Sequence, residues 1–153
     1  LGDMRNPAIV PALADLLSRA RSEQVVEATV EALRKQKDPR AVSALQRAAQ
    51  GDYDDFLKLS IAKAQLALGD RDGFATLVRV LQGDEASFAR QQASELLEKQ
   101  AGRKFGYDSQ KPAAQNKAAL QRIEEWWKSE GSRLKWNMST GKFQVEEARS
   151  KND

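Results

Sequence analysis

The chain has 153 residues, 41% of them hydrophobic and 31% charged, and a net charge of +3. This is an ordinary globular composition, long enough for a real core. It contains neither cysteine nor histidine, which excludes disulfides, thiolate metal sites, Ser-His-Asp and Cys-His catalysis, and the commonest zinc ligand.

The charge is uneven. Residues 1–100 carry 14 basic and 15 acidic side chains, net −1, and residues 101–153 carry 11 and 7, net +4. All three tryptophans lie in the second part. No apolar run approaches the roughly 20 residues of a membrane-spanning helix. No signal peptide is visible, and the cellular compartment is not written in the residues.

In chain order, Leu1-Gly2-Asp3 reads as the end of one repeat and the start of another. Asn6-Pro7 then reads as an N-cap with proline at the first helical position. The segment from Ile9 through Leu13 to Leu17 has apolar residues at i, i+3, i+4 and i+7, one face of a helix. The same segment returns at Ala41–Leu45 and Gly73–Leu77, placing Leu13, Leu45 and Leu77 at intervals of 32 residues. Leu16, Ala48 and Val80 share this register, as do Leu17, Ala49 and Leu81.

A second helix follows in each unit. Val25, Leu57 and Ala89 are equivalent, as are Thr29, Ile61 and Ala93, and Ala32, Ala64 and Leu96. Each unit is therefore a helical hairpin with two apolar stripes, which one hairpin cannot bury alone; stacking buries them. Asp38-Pro39 and Asp70 or Asp72 are expected to cap first helices, and Ser22, Asp54 and Asp84 second helices. Gly51, Gly69 and Gly83 fit helix exits. The expected units run about 1–36, 37–68 and 69–100.

Residues 101–115 are rich in Gly, Pro and polar residues and read as a connection. A helix is expected over 116–129, with Ala119, Leu120, Ile123, Trp126 and Trp127 as its stripe. Leu134, Trp136, Phe143 and Val145 alternate around Met138-Ser139-Thr140-Gly141, a β-hairpin over 133–145. The polar tail Glu146–Asp153 is expected to fray. Residues 101–153 thus form a module expected to cap the last repeat, because terminal repeats need a cover.

These residues carry a resemblance. Leu1-Gly2-Asp3, Lys37-Asp38-Pro39-Arg40-Ala41-Val42-Ser43-Ala44-Leu45 and Leu68-Gly69-Asp70 resemble bacterial HEAT-like repeats, including those of phycobilin lyases. Lys58 and Arg90 stand where that family often has arginine, and Val26 departs from it. Phe105-Gly106-Tyr107-Asp108, Trp126-Trp127 and Gly141-Lys142-Phe143 resemble a C-terminal signature that follows such repeats in some bacterial proteins. The resemblance implies an all-α solenoid of about three hairpins and leaves function open.

Several features have a plain reading. Asp52-Tyr53-Asp54-Asp55 lacks the Gly and the Glu of a calcium loop and reads as a helix N-terminus. The tryptophans read as aromatic core rather than a base-stacking platform. Glu27, Glu31 and Lys35 make a solvated face with i,i+4 pairing. No catalytic, metal or cofactor site is expected, and no enzyme.

The expected function is protein–protein interaction through the concave surface formed by the second helices. Phe56, Leu59, Lys63, Phe88, Gln91 and Glu95 are the candidate contact residues. Phe56 and Phe88 occupy equivalent positions, with Gln24 as their counterpart in unit one. The partner is expected to be a protein or peptide. Nucleic-acid binding, as in HEAT-like alkylpurine DNA glycosylases, needs a basic stripe that the repeat half lacks. A lyase or chaperone role rests on repeat resemblance alone.

Overall fold

The computed structural model describes residues 8–84 and 86–145. Six helices form three hairpins: α1 (Ile9–Arg19) with α2 (Glu23–Gln36), α3 (Val42–Ala48) with α4 (Asp55–Ala67), and α5 (Asp72–Gln82) with α6 (Ser87–Ala101). Then come α7 (Lys117–Ser129) and an antiparallel pair, β1 (Leu134–Asn137) and β2 (Lys142–Val145). The protein is a helical solenoid followed by a small hairpin. No helix among the described residues is long and apolar enough to cross a membrane. Asn6-Pro7 and the Glu146–Asp153 tail lie outside the described residues.

Helix α3 is short because a 3₁₀ turn, Pro39–Ala41, precedes it. Asp38 starts that turn by accepting from the Arg40 amide at 2.9 Å, with proline next to it, where a missing N–H costs nothing. Asp54 caps α4 by accepting from Leu57 N at 2.8 Å. Ser22 precedes α2 without a side-chain cap bond. Asp84 does not cap α6, whose N-cap is Ala86; its carboxylate instead accepts from Ala113 N at 2.7 Å. Gly69 leaves α4 with φ +78°, and any Cβ there would lie 2.6 Å from the Trp136 ring, so both backbone and packing demand glycine.

Helix α4 is the shared wall of the molecule. Its Leu57, Ile61 and Ala64 pack with Val10, Leu17, Val26, Val30 and Leu45 of the first two units. Its Leu59, Ala62 and Leu66 pack with Phe74, Leu77 and Ala93 of the third. Two stripes at i, i+3 or i+4 spacing, turned from each other, make a helix apolar on most sides. Between them runs a buried polar chain: Thr76 donates to Gln65 Oε1 at 2.8 Å, and Gln65 Nε2 donates to Asp70 Oδ2 at 3.2 Å.

The 32-residue register predicts equal burial along the stack, and unit one departs from it. Leu45 and Leu77 are fully buried, whereas Leu13 is half-buried. At the other end, α7 packs on α5 through rings. Trp126 meets Phe74 edge-on at 5.6 Å, Trp127 lies 5.6 Å from Phe74, and Phe143 lies 5.2 Å from it. Trp126 and Ile123 are buried; Trp127 is half-buried, lying against Gly131. β1 and β2 pair as expected, Leu134 with Val145 and Trp136 with Phe143, around a turn that ends at Gly141 with φ +62°.

Candidate functional site

Helices α2, α4 and α6 pack side by side, and their outward residues fall into rows set by the repeat. At the helix starts the row is Gln24, Phe56 and Phe88. Phe56 is 49% exposed and Phe88 59%. Both sit at the second residue of their helices, so no preceding helical turn lies under the ring. With α4 against α6, the usual helix spacing sets the two rings' backbones about 10 Å apart.

Two turns further on, the row is Glu31, Lys63 and Glu95, alternating in sign. Lys63 Nζ donates to Gln92 Oε1 at 3.2 Å. Gln91 Nε2 donates to Glu95 Oε1 at 3.0 Å. Arg34 binds Glu31 through two donors at 2.6 and 2.8 Å. The Arg34 guanidinium holds the Glu31 carboxyl below its ordinary range, and Lys35 and Lys63 pull the same way. Arg34, Lys63, Gln92, Glu95, Leu96 and Lys99 line an open depression of about 430 Å³.

Five of the six candidate contact residues lie on this face. Leu59 does not: it is 3% exposed and packs into the third unit's core. Its position off the main stripe belongs to the second side of α4, which faces α5 rather than a partner. Lys58 and Arg90 do not make a basic stripe either. Arg90 is 4% exposed, and its Nη1 donates to the Lys111 carbonyl at 2.7 Å.

Three buried polar residues lie beside this face in roles that sequence reasoning did not assign them. Arg90 is one. Asn116 is another: its side chain accepts from Asp108 N at 2.9 Å and donates to the carbonyls of Asp108 and Lys111 at 2.9 and 3.2 Å. The third is Asp55, 6% exposed, whose Oδ2, like Arg90 Nε, has no hydrogen-bond partner among the described residues. The tyrosine of the FGYD segment donates to the Leu81 carbonyl at 2.7 Å. Burial pushes the Tyr107 phenol up, with Arg90 working against it. A polar loop segment gives no periodic signal, so only the Gly and Pro punctuation was readable there.

Residues 1–65 match the family model for HEAT repeats. That stretch takes in the first hairpin and most of the second, and the third hairpin continues the same architecture beyond it. No curated protein and no solved structure matches the chain.

Proposed function

We propose that the chain is a protein-interaction module whose contact face is formed by α2, α4 and α6. Phe56 and Phe88 are its anchors, with Lys63, Gln91 and Glu95 beside them. HEAT repeats commonly serve as interaction scaffolds. The observation that carries the reading is the pair of phenyl rings, equivalent by repeat and each about half exposed. Aromatic side chains, phenylalanine among them, are enriched at protein interfaces relative to the rest of the surface. The row of alternating charge below them gives a rim that orients a polypeptide segment without selecting a polyanion. The residues 101–153 would then act as the cover of the third hairpin rather than as a second binding unit.

The test is a peptide-display selection against the purified chain, repeated on the double variant Phe56→Ser/Phe88→Ser. Selected sequences should carry an aromatic or aliphatic anchor and lose at least tenfold in affinity on the double variant, about 1.4 kcal/mol. The variant's melting point should stay within a few degrees of the parent. Binding that survives the double change would remove both rings from the contact face.

A further inference from the structure

In units two and three, the side of each hairpin that meets the preceding unit is closed. Gly73 on α5 lies so near α4 that a Cβ there would come within 2.7 Å of Leu66 and 3.0 Å of the Ala62 carbonyl. Val80 on the same helix is fully buried, and so are Leu57 and Ala89 at the starts of α4 and α6. Ala41 and Ala48 are buried in the second unit. The matching residues of unit one are Ile9, Leu16 and Val25, and they are 36%, 44% and 40% exposed. Their sequence neighbours Val10, Leu17 and Val26 are each 5% exposed or less. The inner side of the first hairpin is therefore already packed, and no rotation of α1 or α2 buries the outer stripe without exposing the inner one.

We propose that this outer face of the first hairpin is the seat for one further helical hairpin of the same repeat type. It would stack in the register that joins unit one to unit two and unit two to unit three. Continuity with those two interfaces identifies the occupant, because a preceding hairpin is what covers these positions elsewhere in the molecule. The face also specifies its chemistry. Ile9 stands where later units have Ala41 and Gly73, and α4 sets Leu66 against Gly73, so the incoming helix must present a residue smaller than leucine opposite Ile9. A second copy of the chain cannot stack head to tail here. The far side of its third hairpin is occupied by Phe105, Ile123 and Trp126.

The experiment keeps the full chain and adds a hairpin to it. Residues 37–67 are duplicated directly ahead of Leu1, whose Leu1-Gly2-Asp3 repeats the Leu68-Gly69-Asp70 that joins α4 to α5. The melting point should rise, and amides of α1 and α2 should gain at least about tenfold protection from hydrogen exchange. Leu16→Asp should lower the parent's melting point by no more than a few degrees but lower that of the extended chain by clearly more and erase the added protection. The proposal fails if the added hairpin exchanges like unfolded chain, or if Leu16→Asp is silent in the extended chain. Sedimentation of the parent chain covers the other occupant: a dimer that Leu16→Asp dissolves would assign the face to self-association and overturn the proposal.

Discussion

Truncating the leucine of the repeat register in unit two should cost far more than truncating its neighbours in unit one. Leu45 is 0% exposed and packs in the cluster that joins units one and two. Leu45→Ala removes buried methyl groups and leaves a cavity between helices fixed on several sides, a loss of about 2–5 kcal/mol. For a chain of this size, a loss near 3 kcal/mol lowers the melting point by roughly 6–12 °C. Leu13 holds the same register but is half-buried. Leu13→Ala should cost about 1–2 kcal/mol, since part of its surface stays in water in either state. Leu16 is 44% exposed, and Leu16→Ala should cost under about 1 kcal/mol. The assay is urea unfolding followed by tryptophan fluorescence and circular dichroism, at low protein concentration, with midpoint and slope reported separately. The graded order Leu45, Leu13, Leu16 is the content of the prediction. Equal losses at Leu45 and Leu16 would refute the burial pattern of the first unit, and a loss below about 1 kcal/mol at Leu45 would refute the 32-residue register itself.

Trp126→Ala should cost about 3–5 kcal/mol by thermal melt, because the ring is buried against Phe74 and Phe105. Trp127→Ala should cost distinctly less, since that ring is half-buried along the groove between α5 and α7. Asn116→Ala leaves the Asp108 amide without its partner and takes one of two donors from the Asp108, Lys111 and Pro112 carbonyls; a loss of about 1–3 kcal/mol is expected, with faster hydrogen exchange confined to residues 105–116. An ultraviolet titration should place Tyr107 above the ordinary tyrosine range, assigned by its disappearance in Tyr107→Phe. The sign follows from the raised folded value: the stability that the neutral phenol contributes is fully present below the unfolded pKa and is lost as pH rises through the folded one.

The repeat was legible because its signal is spread over three copies. A 32-residue spacing of apolar positions at helical period needs no tertiary knowledge, and capping residues such as Asp38 and Asp54 act within three residues of their own position. The placement of Phe56 and Phe88 off the apolar stripe was readable for the same reason. Leu59 was not, because a helix packed on two sides has two inward directions, and periodicity cannot separate the second from an outward one. Trp126 and Trp127 show a related blind spot: adjacent residues on a helix differ by about 100°, so which indole faces the core depends on where α7 meets α5. Asp84 fits a cap by residue type, yet its carboxylate is taken by the Ala113 amide from 29 residues away. A partner so distant leaves no trace in a local window.

Departures from the repeat carry information about neighbours. Val26, Lys58 and Arg90 share one repeat position, and its chemistry changes along the stack. Val26 is buried among the apolar residues of units one and two. Arg90 is equally buried, but a loop lies against it in place of another hairpin, and the guanidinium shares that loop's Lys111 carbonyl with Asn116. Gly73, in place of Ala41 and Ile9, records the close approach of α5 to α4. In each case the altered residue matches the group that touches it. Phe56 and Phe88 are departures of the same kind, with rings where unit one has Gln24, and each ring is about half exposed. Large apolar side chains are stable in water singly and need no account there. Two at one repeat position, on adjacent helices, above a row of alternating charge, form a pattern that the internal packing of the described residues does not require. On the proposed reading their contact is with a partner, and the double serine variant tests that reading apart from the fold.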